Sequence, residues 1–218
     1  VMSTITVKVL PMPEKVRTLL IRWGADVPDD HVAMTAMSQA LGSAHDVSAA
    51  AHLPAAITGR SGVDYVKSSS GGVTALRLEG PEPSVKHRTQ VLKDEIKGFA
   101  EIEELHTKNS ATLWREIRDV QPFVNCDNLP YVWRISVPPT SGSHVAASIL
   151  QYLGGEVFYD WGGGLIWLAL TAVPGAGAET IRAALMEMGG HATLVRAPSD
   201  IRGSVAVFQP LSGPEAMV

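Results

Sequence analysis

The sequence predicts an α+β fold built from two tandem ferredoxin-like units, each with the element order βαββαβ. Their strands are expected to form one extended antiparallel sheet with helices on one face. Three observations predict this fold. Residues 131–198 carry strand, helix, strand, strand, helix and strand patterns in that order, and residues 17–106 repeat the order. Two strand-like segments are also joined through Trp161 and three glycines, which is typical of a hairpin. Two such units can pair edge to edge.

In the first unit, alternating polar and apolar residues predict strands, and stop signals set their ends. A leading strand is predicted from Ser3 to Leu10, followed by strands from Arg17 to Gly24, Asp46 to Leu53, Val73 to Gly80 and Phe99 to His106. Helical spacing predicts a helix from Asp29 to Gly42 with an aspartate N-cap, and another from Glu82 to Gly98 capped by Ser84. Residues 54–72 form a glycine-rich connection between the second and third of these predicted strands of the unit, Asp46 to Leu53 and Val73 to Gly80, and have room for a short helix.

A connecting helix is predicted from Asn109 to Val120, with Ser110 as its N-cap. Its inward positions are Leu113, Trp114 and Ile117. Arg115 and Arg118 lie about one turn apart and share a face. The proline-containing run that follows, residues 125–130, is the linker to the second unit, and we divide the chain into residues 1–122 and 123–218.

The second unit has the clearest signals, because prolines and glycine pairs end its segments. Its strands are predicted from Tyr131 to Pro139, Glu156 to Asp160, Leu165 to Thr171 and His191 to Ala197. Its helices are predicted from Ser143 to Leu153 and Ala178 to Met188, and Ser204 to Pro210 is expected to form one more strand.

Composition excludes several classes of function. The formal net charge is −4 and no lysine or arginine cluster occurs, which argues against nucleic-acid binding. The single cysteine, Cys126, excludes an internal disulfide and a thiolate zinc site. The absence of an apolar run of membrane-spanning length, or of a signal-like start, predicts a cytoplasmic protein without a membrane span.

Few residues carry chemistry on inspection. The sequence contains no phosphate-binding or hydrolase motif, and its histidines stand apart from one another, so no metal site is predicted. Two arginines leave two interpretations open. Arg118 either forms a surface salt bridge, with Asp119 or the glutamates near residue 103, or presents its guanidinium to a carboxylate. Arg134 is either part of an ion pair on the sheet or a cation that faces a ligand.

The hairpin between the two central strands of the second unit is a further candidate. Gly162, Gly163 and Gly164 either make the turn or let a ligand approach the backbone closely. Asp160 is most simply a turn residue. Trp161 is expected near the tip, where an indole is often available to another ring.

Several long segments resemble the E subunits of bacterial glycolate oxidases, within the vanillyl-alcohol-oxidase type of flavoproteins. In chain order they are VTALRLEGPEPSV, LWREIRDV, WRISVPP, FYDWGGGLIWL and FQPLSGPEAMV. The resemblance implies the C-terminal cap domain, which covers flavin and substrate, with the FAD-binding domain lying before Val1 and the usual closing segment missing after Val218. FAD is then expected in the full-length protein, and none on this chain alone.

The resemblance also implies roles for particular residues. Trp114 and Arg118 match a tryptophan-then-arginine helix that supplies a cation to the substrate carboxylate, and because the spacing departs by one residue, Arg115 remains an alternative. Arg134 is the third candidate to bind substrate. The flavin-facing candidates are Asp160, Trp161, Gly162 and Gly163. No residue of this chain alone is expected to be catalytic, because the histidines that bind metal in related dehydrogenases have no counterpart here.

The implied assembly contains a flavin D subunit and an iron–sulfur F subunit, oxidises a 2-hydroxy acid such as glycolate, and associates with the inner membrane only as a complex. An excised cap domain is expected to form homodimers through its uncovered sheet face. Two alternatives stay open. One is a ferredoxin-like module for small-molecule sensing or subunit assembly, and the other is a stand-alone enzyme of the dimeric α+β barrel kind.

Overall fold

The structure is a computed structural model that describes residues 4–7, 9, 12–26 and 30–210. Within these residues eight strands form one sheet in the order β4-β1-β3-β2-β6-β7-β5-β8. The strands are β1 (Lys15–Arg22), β2 (Val47–Leu53), β3 (Val73–Gly80), β4 (Glu101–Leu105), β5 (Tyr131–Ser136), β6 (Gly155–Asp160), β7 (Leu165–Leu170) and β8 (His191–Arg196). Neighbouring strands pair antiparallel throughout. The predicted extended antiparallel sheet is confirmed.

The helices complete the two predicted units. They are α1 (Asp30–Leu41), α2 (Ala55–Thr58), α3 (Asp64–Lys67), α4 (Glu82–Ile96), α5 (Thr107–Arg118), α6 (Gly142–Leu150), α7 (Ala178–Met188) and α8 (Ser199–Ser204). The four long helices of the two units, α1, α4, α6 and α7, pack on one face of the sheet. There they share a core with every second strand residue, including Leu76 and Trp133. The ferredoxin-like order β4-β1-β3-β2 of the first unit is mirrored by β6-β7-β5-β8 in the second.

The opposite face, which we call the second face, is less bare than the sequence predicts. Helix α5 places Leu113 and Ile117 against it, and the short helices α2 and α3 add Ile57 and Val66. These side chains form a second core with the outward residues of the strands, because apolar strand residues on both faces must be buried. Beside α5, a part of the second face that is formed by strands of both units stays open to solvent.

Two predicted strands and two predicted caps are wrong. In residues 4–7 and 9, the described part of the first predicted strand, no strand forms, and a strand pattern needs a neighbour to pair with. The segment from residue 204 to 210 begins at the end of α8 and continues irregularly, and its contact with β8 is one backbone hydrogen bond, from the amide of Leu194 to the Val207 carbonyl.

The cap predictions fail because both serines find other partners. Ser84 lies inside the first turn of α4 and its Oγ accepts a hydrogen bond from Arg88. Ser110 lies inside α5, fully buried, with its Oγ 2.7 Å from Thr18 Oγ1. The predicted aspartate cap of α1 falls on Asp29, outside the described residues.

A buried polar network joins the two units where β2 meets β6. His52 pairs with Tyr159 in the sheet. Asp30, at the start of α1, accepts a hydrogen bond of 2.6 Å from Tyr159 Oη and lies 3.4 Å from His52 Nε2. Burial alone raises the pKa of Asp30, but the hydrogen bond and attraction of His52 and the hydrogen bond from Tyr159 outweigh it and lower the pKa. Asp30 is therefore ionised at neutral pH.

We predict that Asp30→Asn lowers the free energy of unfolding at neutral pH by about 1–3 kcal/mol, because it weakens charge-assisted hydrogen bonds in a half-buried site. The folded pKa lies below the ordinary value of 3.8. The stabilisation is therefore complete above that value and is lost as pH falls through the lower folded pKa. Urea unfolding at several pH values measures both effects. Asp127→Asn, at an exposed aspartate, is the control, and equal losses in both variants would contradict the prediction.

Candidate functional site

A groove of about 1020 Å³ crosses the open part of the second face. Its floor is formed by strands of both units and one wall by α5. The groove residues that carry charge or an aromatic ring are Arg77, Glu79, Trp114, Arg115, Arg118, Arg134, Asp160, Trp161 and Trp167. The remaining lining is largely apolar, including Val16 and Leu165. The groove belongs to neither unit alone, since Arg77 comes from β3 and Arg134 from β5.

The groove is positively charged although the chain carries a net charge of −4. Four arginines line it against two carboxylates, Glu79 and Asp160. Such a concentration of guanidinium groups in a partly enclosed space attracts anions. The groove is therefore suited to a small carboxylate and unsuited to a cation.

Arg134 and Trp161 face each other across the groove floor. The guanidinium of Arg134 lies 5.0 Å from the centroid of the Trp161 indole, within the range of a cation–π interaction. Within the described residues the guanidinium of Arg134 makes neither a hydrogen bond nor an ion pair. A half-buried guanidinium without a carboxylate partner has its donors available to an anionic ligand. The ion pair on the sheet, one of the two interpretations of Arg134, is therefore absent among the described residues.

Arg118 has a partner already. Its guanidinium makes two hydrogen bonds to the Asp119 carboxylate, of 2.8 and 3.1 Å, while its side chain stays 72% exposed. This is the surface salt bridge that the sequence left open. Arg115, on the same helix, is exposed at the groove, and its guanidinium makes no hydrogen bond or ion pair among the described residues. Arg115 is thus better placed than Arg118 to meet a ligand anion.

Arg77 is a groove residue that sequence reasoning missed. It lies 5.2 Å from the centroid of Trp114, the tryptophan of α5, and its Nε donates to Ser48. It also pairs with Glu79 at 3.3 Å. Its position on a strand with apolar neighbours was the available signal, since a charged residue alternating with buried ones must face a polar space.

The hairpin between β6 and β7 holds Trp161 in an unusual conformation. Trp161 has φ of 53°, and Gly162 and Gly163 follow with φ of 65° and 97°. The left-handed region costs a non-glycine residue about 1–2 kcal/mol. Trp161, which this turn presents to the groove, is 58% exposed. Strain that serves to expose a large aromatic side chain in a groove is typical of a binding site.

Gly162 and Gly163 have different surroundings in this turn. Gly162 lines the groove, whereas a Cβ on Gly163 would meet Met34 Sδ at 2.5 Å and the Pro139 carbonyl at 2.9 Å. Gly163 therefore faces the helix-covered side and packs against the chain itself. Asp160 lies at the groove and accepts a hydrogen bond from the Trp161 amide. Burial raises the pKa of Asp160, although that amide and the charge of Arg77 act against the rise.

The structure thus gathers six of the seven predicted site residues at one groove. They are Arg115, Arg118, Arg134, Asp160, Trp161 and Gly162. Gly163 is the exception. Within the described residues no group of three histidine, cysteine, aspartate or glutamate side chains is arranged to hold a metal ion. Likewise, no described helix has the length and apolarity to cross a membrane.

Two larger proteins of known structure share the fold of this chain. A 4-ethylphenol oxidase from Gulosibacter chungangensis shares it with a TM-score of 0.55 and 14% identity, over 90% of this chain and 48% of the oxidase. An alkyldihydroxyacetonephosphate synthase shares it with a TM-score of 0.51 and 14% identity, over 82% of this chain and 39% of that one. The chain therefore shares its fold with a part of each of these two larger proteins.

The particular relative is found by sequence. The chain is 32% identical over 140 residues to glycolate oxidase subunit GlcE of Escherichia coli K12. That match covers 64% of this chain and 31% of the relative, so the chain spans about a third of the curated protein that it matches. The resemblance to the C-terminal part of this subunit is confirmed. No family model matches the chain.

We predict that Trp161→Gly unfolds at a higher urea concentration than Trp161→Ala. Both variants lose the indole, but alanine keeps a Cβ in the left-handed conformation that glycine adopts freely. The strain of about 1–2 kcal/mol outweighs the larger entropy of the unfolded glycine chain, about 0.5–1 kcal/mol. An equally or more stable alanine variant would contradict the left-handed turn.

Proposed function

We propose that this chain is the substrate- and flavin-covering cap domain of an FAD-dependent 2-hydroxy-acid oxidoreductase, with glycolate as substrate and glyoxylate as product. The observation that carries the proposal is the cationic, aromatic groove on the second face, formed by residues of both units. The sequence similarity of the chain to GlcE supports glycolate as the substrate. The fold shared with two larger proteins supports a role as one domain of a longer polypeptide.

We assign the binding of the substrate carboxylate to the arginines of the groove. Arg134 is the first candidate, because its guanidinium has no carboxylate partner among the described residues and is held over Trp161. Arg115 is the second, and Arg118 is third because Asp119 already occupies its donors. Charge-assisted hydrogen bonds of this kind orient a small acid and fix which hydrogen of its carbinol carbon faces the acceptor.

The residues present fit the ring of a flavin better than its phosphates. The exposed indole of Trp161 and the half-buried indole of Trp167 offer a surface for a planar ring. The sequence contains no glycine-rich phosphate loop. When bound, FAD supplies the hydride acceptor. This chain contributes position, charge and exclusion of water from the second face.

In the proposed assembly the chain works within a full-length E subunit beside a flavin D subunit and an iron–sulfur F subunit. The runner-up is a small-molecule-sensing or assembly module without catalysis. One observation favours it, namely that the cationic groove is complete within this chain. A sensing module would bind its anion without flavin or partner subunits, whereas a cap domain needs the rest of the polypeptide to close the site.

We predict that Arg134→Met lowers kcat/KM for glycolate by about 10- to 100-fold in the complete complex, because a charge-assisted contact worth about 1.5–3 kcal/mol is lost. Arg115→Met is expected to lower it less and Arg118→Met least. Steady-state kinetics measure the three effects. The control is Arg202→Met on α8, which changes an exposed arginine outside the groove. Equal kinetics for the residue 134 and residue 202 variants would remove the carboxylate assignment.

We also predict that the 218-residue chain alone binds no FAD and turns over no substrate, because it lacks a phosphate cradle. Absorbance at flavin wavelengths during purification and equilibrium dialysis with FAD test the first point. Stoichiometric flavin on the purified chain would contradict the cap-domain proposal. Tight binding of glycolate by the chain alone would instead favour the sensing module.

A further inference from the structure

A second cavity lies apart from the groove and has the opposite electrostatic character. Its volume is about 320 Å³, at the lower end of ligand pockets. It opens near the ends of β1 and β2, and its lining includes Trp23, Asp30, Ala33, His52, Ala55 and Ala56. In β2, His52 points to the face covered by the long helices, because its neighbours Ala51 and Leu53 belong to the core of the second face.

Among the described residues of the lining, Asp30 is the one carboxylate, the buried His52 is its neighbour, and neither lysine nor arginine is present. The carboxylate is also rigid, since Tyr159 Oη donates to Oδ2 and His52 Nε2 lies 3.4 Å from Oδ1. The Asp30 side chain is nonetheless 27% exposed. Each carboxylate oxygen has a second lone pair, so Asp30 can accept a further hydrogen bond from a ligand.

The other polar groups are fixed around this carboxylate. Thr74 Oγ1 accepts a hydrogen bond of 2.9 Å from Trp23 Nε1 and lies 2.9 Å from His52 Nδ1. Thr74, His52 and Asp30 therefore follow one another like a hydroxyl, imidazole and carboxylate triad. Thr74 is fully buried and does not line the cavity, so it cannot attack a ligand. The chain of hydrogen bonds instead holds the indole of Trp23 and the carboxylate of Asp30 in place.

We propose that this cavity binds a small organic cation of the alkylammonium class, with Asp30 as counter-charge and Trp23 as an aromatic wall. An anionic group, an indole and small apolar side chains are the chemistry that recognises ammonium groups. The ligand differs in charge from the anion proposed for the groove. Because Asp30 also joins α1 to the β2–β6 junction, occupancy of the cavity reinforces the contact between the two units.

The test titrates the purified 218-residue chain at pH 7 with trimethylammonium chloride, whose single N–H can donate to Asp30, and follows the indole N–H resonances by NMR, with Trp23→Phe identifying that of Trp23. A saturable shift of the Trp23 resonance is expected. Sodium chloride at the same ionic strength and tert-butanol, a neutral molecule of similar shape, should leave it unmoved. Asp30→Asn should weaken binding by about tenfold or more.

Because Asp30 also stabilises the fold, a second variant keeps the test decisive. Ala56→Leu narrows the mouth of the cavity at an exposed position and leaves the hydrogen-bond network intact. It should abolish the shift, whereas Ala183→Leu, at an exposed position of α7, should preserve it. Equal shifts with tert-butanol would mean a merely apolar cavity and would overturn the proposal. A normal titration of the Ala56→Leu variant would overturn it as well.

Discussion

The antiparallel contact of β2 with β6 is the constraint on which the rest of the structure depends. It turns two four-stranded units into one sheet, and the polar network of Asp30, His52 and Tyr159 lies at that contact. A buried network of this kind is favourable only when its members are satisfied together, which specifies one arrangement of the two units. The groove requires this arrangement, since its arginines come from strands on both sides of the junction.

The second face shows how the chain combines stability with an open surface. Helix α5 buries Leu113 and Ile117 in the second core and leaves Arg115 at the groove. Amphipathic spacing allows one helix to do both. The strained turn at Trp161 has the same double character, because its glycines permit tight packing on one side while the indole is exposed on the other. Strain at the turn is sustained by the hairpin pairing on either side of it.

The two proposed binding sites lie on opposite faces of the sheet and differ in charge. Four arginines line the groove on the second face, and the carboxylate of Asp30 lies in the cavity on the face of the long helices. The net charge of the chain hides this separation. A flavin-covering cap with a substrate anion on one side, and a cation-binding cavity at the joint on the other, is the functional picture that we propose.

The sequence by itself determined the order of elements, the doubled βαββαβ architecture and most of the element bounds, because hydrophobic periodicity and glycine or proline stops are local signals. Strand Val73–Gly80 and helix Ala178–Met188 were predicted to the residue. Tertiary structure decided what depends on distant partners: whether the pattern at residues 4–7 finds a strand to pair with, whether Ser110 caps a helix or bonds to Thr18, and whether Arg134 meets a carboxylate. The partner of Arg118 is its sequence neighbour Asp119, which the sequence already offered. Only the packing of distant segments places Arg134 over Trp161 and leaves its guanidinium facing an open groove.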